Sequence, residues 1–231
     1  MPRAERPAVE GGFGAEGEGG GRILYAACAL SQFLVAAGAS VVTTMGPALR
    51  EANGLRASWL PWAVLVYALA LGLLALPLRL LIRRIRPLPV LILGLWLFVQ
   101  SSVALTLVSG ATAFLAFRAV QGAGAAALTA TAFVLVLALD LDGQRSDRLL
   151  LAWSAVVVAG LGTGLVVGAV VGAEWRWALW ANVPLTATAG VPLVRLLRST
   201  RRRKGEVGAR TGDGGGGLGV GQGDGAQDAA A

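Results

Sequence analysis

The sequence predicts an all-α membrane protein with six transmembrane helices, and three observations predict it. Of 231 residues, 55% are hydrophobic and only 14% charged, against about a quarter charged in an ordinary soluble domain. The charges are gathered into short clusters separated by long neutral stretches. The basic residues fall almost wholly on alternate connections between those stretches. A hydrocarbon core about 30 Å thick takes roughly 20 helical residues to cross. With no water there to satisfy backbone groups, such stretches read as helices.

The elements follow in order. The neutral stretch from Ile23 to Leu49 predicts a span over 23–47, and the one from Ala57 to Leu78 a second over 57–80. From Pro87 to Leu139 there is one charge, Arg118, in a stretch too long for a single helix. Ser109-Gly110 supplies the break, which gives spans over 88–108 and 112–139. The stretches Leu149–Ala173 and Trp177–Val194 predict the fifth and sixth spans, 149–172 and 177–196. Connections this short leave no room for an extramembrane domain, so 23–198 reads as one six-helix bundle. Residues 1–22 are Gly/Glu-rich with no apolar run like that of a signal peptide, and are expected to be a disordered cytoplasmic tail. Residues 199–231 open on Arg201-Arg202-Arg203-Lys204 and become Gly-rich, and are expected to be a second disordered cytoplasmic tail.

Positive charge predicts the orientation. With both termini inside, the inner side carries Arg79, Arg83, Arg84 and Arg86, then Arg145 and Arg148, then the basic residues from Arg195 to Arg210. The outer side carries only Arg50, Arg56 and Arg176, which is the cytoplasmic bias of Lys and Arg. Trp59 and Trp62, and Trp175, Trp177 and Trp180, fall at the outer ends of the second and sixth spans, where indole rings favour the interface. The formal charge of +7 is thus accounted for by topology and by contacts with anionic lipid. No nucleic-acid partner is expected. The chain contains no His and a single cysteine, Cys28. A His-based catalytic triad, a Cys/His metal site and an intrachain disulfide are therefore excluded. An enzyme is not expected, nor a cofactor or metal.

Two features inside the spans stand out. Arg118 lies about six residues inside the outer end of the fourth span, with Gln121 one turn further on. A charge at that depth usually faces the bundle interior or a water-filled path. The alternative is a side chain that snorkels to the outer headgroups. The acidic residues all fall in tails and loops, so Arg118 is expected to lean on Gln121, Gln32, Gln100, hydroxyls or water. The second feature is Gly160, Gly164, Gly168 and Gly172, a stripe free of side chains that lets another helix approach closely. Its partner is either a helix of the same bundle or a helix outside it.

These residues bring a family into view. Leu115-Ala116-Phe117-Arg118-Ala119-Val120-Gln121-Gly122-Ala123-Gly124-Ala125-Ala126 resembles the R-x-x-Q-G-x-G-A-A signature in helix four of the major facilitator superfamily. It is most similar to the fourteen-helix drug:proton antiporter branch. Trp175-Arg176-Trp177-Ala178-Leu179-Trp180-Ala181-Asn182-Val183-Pro184 is similar to that branch's W-R-W-x-F-x-I-N-V-P at the start of helix six. The stretch from Ser58 to Leu69 resembles the start of its helix two. The similarity covers about residues 23–198, one six-helix half. It implies half of a major-facilitator-type bundle in the cell membrane, with Arg118, Gln121, Gln32 and Asn182 on the substrate or coupling path. Gly122 and Gly124 join the stripe as helix-packing residues.

Three departures accompany the resemblance. The family's acidic residue in helix one corresponds to Gly38. The loop between helices two and three normally reads G-x-L-A-D-R-x-G-R-R, and here Arg79 to Leu88 places arginine where the aspartate and both glycines belong. The antiporter motif G-P-x-x-G-G becomes Gly164-Leu165-Val166-Val167-Gly168-Ala169. A two-bundle transporter also needs a second wall to its cavity. The expectation is an exporter of small apolar or cationic compounds, working as a homodimer or with a separately encoded second half. In that assembly the glycine stripe would lie in the interface. The alternative is a non-transporting membrane protein that packs against other membrane proteins.

Overall fold

The computed structural model describes residues 18–54, 56, 58–82, 84–138, 146–195 and 198. The expected terminal tails, 1–17 and 199–231, and the inner loop with Asp140 and Asp142 lie outside the described residues. Helix α1 runs Glu18–Thr44, α2 Gly46–Asn53, α3 Trp59–Ile82, α4 Pro87–Leu107, α5 Ala111–Ala138 and α6 Ser146–Val171. A 3-10 turn, Gly172–Glu174, leads to α7, Trp175–Trp180. A last helix, α8, covers 182–195.

Helices α1, α3, α4, α5 and α6 are each long and apolar enough to cross a bilayer. Two stretches differ from the sequence expectation, and proline explains both. The first span was expected to reach residue 47, but α1 ends at Thr44. Pro47 lacks the N–H that would continue the ladder, and the chain restarts as the short α2 with that proline in its first turn. Gly54 then closes α2 in the left-handed region at φ 63°, its N–H bonding back to Arg50 O. The sixth expected span, 177–196, is two shorter helices in tandem, with a turn at Ala181. Pro184 has no N–H to give to Trp180 O, and its ring crowds that carbonyl. The ladder survives around it through Ala181 N–H to Trp177 O at 2.9 Å. Between α4 and α5 the expected break is present, and Gly110 takes φ +94° there.

Helices α1 and α5 are the middle of the bundle. Helix α5 packs against α1, α3 and α4, while the other side of α1 takes α6. Helix α7 seats on α4 and α6, and α8 joins α4 through Ala189 and Leu193. In their most apolar stretches α1 and α5 are 61% and 67% buried, against 11% for α3 and 17% for α6. Leu73 and Leu76 on α3, and Val158, Val166 and Val170 on α6, point outward from the bundle.

The glycine stripe corrects one expectation. It packs inside the chain, on α1, and does not face a partner. A methyl group at Gly160 would lie 2.7 Å from Phe33 O and 2.9 Å from Ala36 Cβ. One at Gly164 would collide with Ser40 and Ala37, and one at Gly168 with Thr44 and Val41. Ser40 Oγ uses that closeness to donate to Leu161 O at 2.8 Å. Gly172 does not belong to the contact: it sits in the 3-10 turn at φ +49° with open space around it. Gly122 meets Tyr67 O and Ala70 on α3, and Gly124 meets Phe98 N and Gly94 O on α4. The outward face of α6 carries small residues as well, Ala155, Ala159, Gly162 and Ala169. A methyl group at Gly162 would touch nothing.

Candidate functional site

Arg118 lies seven residues along α5 from Ala111, about 10 Å deep at 1.5 Å rise per residue. Its relative exposure is 0%, which excludes the snorkelling alternative. The guanidinium points into the space between α1, α3 and α5. Nε donates to Ala63 O on α3 at 3.3 Å, and Nη1 donates to Gly38 O on α1 at 3.2 Å and to Gln121 Oε1 at 2.5 Å. The Tyr67 ring lies beneath it, 4.4 Å from centroid to Cζ, a distance at which the ring's negative face attracts a cation. Tyr67 is itself held by its hydroxyl, which donates to Val35 O at 2.9 Å.

The network runs on through Gln121. Its Nε2 donates to Ser102 Oγ on α4 at 2.7 Å, and Asn182 Nδ2, at the start of α8, donates to the same oxygen at 3.2 Å. Ser102 Oγ in turn donates to Phe98 O at 2.8 Å. This hydroxyl is therefore saturated, with two donors and one acceptor. Arg118, Gln121 and Asn182 thus belong to one buried network. Gln32 does not join it: the side chain is buried on α1 and its Oε1 has no partner. Gln100 is exposed on α4 and far from a role beside Arg118.

The charge on Arg118 meets no carboxylate among the described residues. The acids there are Glu18, Glu51, Asp147 and Glu174, all at helix ends or in turns. Carbonyl dipoles, one amide oxygen and an aromatic face hold the cation instead, and Nη2 is left without a partner. At Gly38 a methyl group would lie 2.9 Å from Phe98 Cζ. The Phe98 ring fills the space that a side chain at 38 would need. Ser102 and Phe98 were not singled out from the sequence. The cue for the first was a polar pair, Ser101-Ser102, inside a neutral stretch.

The order of Arg118, Gln121, Gly122 and Gly124 on one buried helix, with Trp175 to Pro184 at the matching end of the bundle, agrees with comparison to known proteins. The chain matches the Major Facilitator Superfamily over residues 28–221. It belongs to that superfamily. A methylenomycin A resistance protein of Streptomyces coelicolor is 27% identical over 166 residues, covering 71% of this chain and 35% of the relative. A cephamycin export protein, CmcT, of Amycolatopsis lactamdurans is 34% identical over 188 residues, covering 78% of this chain and 37% of the relative. The chain therefore spans about a third of the length of these curated relatives. As a major facilitator protein it is a multi-pass protein of the cell membrane, in a superfamily of transporters and not of enzymes.

Proposed function

We propose that the chain supplies one rigid half of a small-molecule exporter, which works against a second half. The observation that carries this reading is the way the polar network ties the helices together. Arg118 joins α5 to α1 and α3, Gln121 joins α5 to α4, and Asn182 joins α8 to α4. The glycines and Ser40 join α6 to α1. Alternating access in such folds is largely a rocking of one bundle against another around a site between them. A bundle that rocks as a unit needs its helices fastened to one another, and this network fastens them. In this reading Arg118, Gln121 and Asn182 brace the half, and cargo meets faces outside the network.

The second half covers the bare sides of α3 and α6, where the small residues of α6 admit a close helix. Both termini are inside, as the charge bias favours. The cargo is a small organic compound, apolar or cationic as the family resemblance implies. A cation would bind away from Arg118, the buried positive charge of the bundle. The packing of Phe98 against Gly38 favours a second reading, a membrane protein that pairs with transporters without carrying cargo.

Deletion of the gene in its own host separates the two. Intracellular accumulation of a panel of apolar and cationic dyes and antibiotics is measured, with the full chain returned on a plasmid. Export predicts raised accumulation of at least one compound, restored by the returned chain. Accumulation unchanged across the panel refutes it.

A further inference from the structure

Helix α4 places a glutamine in the hydrocarbon with nothing to bond. Gln100 is exposed, and its side chain makes no hydrogen bond in the structure. It lies seven residues from the helix end at Leu107, about 10 Å from that end at 1.5 Å per residue. That is beyond the reach of a glutamine side chain to the headgroups. Leu93 (54% exposed), Trp96 (57%) and Leu107 (74%) share its face, and Pro89 is exposed there too. The positions 89, 93, 96, 100 and 107 follow the alternating three- and four-residue spacing of a helix–helix seam.

We propose that this seam is a parallel homodimer interface, in which Gln100 of each copy bonds Gln100 of the other. A carboxamide both donates and accepts, so two of them across a twofold axis satisfy each other reciprocally. Every copy inserts with the same topology, so the partner's α4 carries its amide at the same depth. A foreign helix would need a donor and an acceptor at that level, whereas a second copy has them by construction. Such interhelical amide bonds hold membrane helices together because the alternative is a bare polar group in lipid. The interface uses α4 alone, so it leaves α3 and α6 open and is independent of the exporter reading.

The test uses the full chain in native membranes, in a Cys28→Ala background so that each added cysteine is unique. Leu93→Cys, Trp96→Cys and Leu107→Cys should form intermolecular disulfides readily, and Ile92→Cys and Val99→Cys, on the flanks of α4, much less. In parallel, energy transfer between differently labelled copies diluted in lipid vesicles reads the association constant. Gln100→Leu should weaken association roughly tenfold, about 1.4 kcal/mol, and Gln100→Asn should retain part of it. Because Gln100 is exposed and bonds nothing in its own bundle, both variants should fold as the parent does. Equal disulfide yields on the face and the flanks would overturn the proposal, as would association unchanged in Gln100→Leu.

Discussion

Two glycines on α6, two residues apart, should respond unequally to the same change. At Gly164 an added methyl group collides with Ser40 and with the Ala37 backbone. Backbone cannot swing aside as a side-chain tip can, so α6 must retreat from α1. Overpacking of that kind destabilises by about 1–3 kcal/mol. The retreat also lengthens the Ser40–Leu161 hydrogen bond, now 2.8 Å, worth about 1 kcal/mol. Gly164→Ala should therefore cost about 2–3 kcal/mol, and Gly164→Leu more. At Gly162 the methyl group meets nothing, and Gly162→Ala should stay within about 0.5 kcal/mol. Cys28 supplies the readout: it is the chain's single cysteine and 0% exposed, so the rate at which it reacts with a thiol reagent in mild detergent follows unfolding. At 2 kcal/mol the open population rises about thirtyfold, and labelling of Gly164→Ala should accelerate by that order. Equal labelling rates for the two variants, with Gly164→Leu altering only the assembly size, would return the stripe to an intermolecular role and refute the packing argument.

Three further outcomes follow, two from the buried contacts and one from the charge bias. Ser102→Ala strands the buried amides of Gln121 and Asn182 without their shared acceptor, a loss of about 2–4 kcal/mol. Ser101→Ala removes only bonds to its own helix and should be nearly silent in the same assay. Arg118→Lys keeps the charge but cannot reach Ala63 O, Gly38 O and Gln121 together or stack flat on Tyr67. It should destabilise by roughly 2–3 kcal/mol, measured as above. Reporter fusions should read cytoplasmic after Lys204 and outside at Asn53, and a C-terminal fusion reading outside would contradict the inside placement of both termini.

Five of the six expected spans were legible because lipid forbids charge, so the gaps between charges are a ruler. The breaks were harder. Pro47 and Pro184 were visible, yet a proline in a neutral stretch does not say whether the helix kinks or restarts. The short α2 and the turn at Ala181 depended on that choice. Within the site, Arg118 and Gln121 were paired from their spacing along one helix, and the structure bonds them. What Arg118 meets on α1 and α3 could not be read, because backbone carbonyls have no residue type. The glycine period gave a face without giving its neighbour. Span one offers Ala36, Ala37 and Ser40 at matching intervals, and that complementary run of small residues was the available signal. Ser102 escaped notice because one hydroxyl in an apolar helix usually bonds its own backbone. Only the convergence of α5 and α8 makes it a junction.

An exporter half needs protein over the bare sides of α3 and α6, and one measurement reaches that directly. A photocrosslinking side chain is placed at Gly162 on the open face of α6, in the full chain and in native membranes, and the adducts are identified by mass. The proposed exporter half predicts a protein adduct, either with a further bundle of apolar helices or with another copy of this chain. Adducts with lipid alone would contradict it.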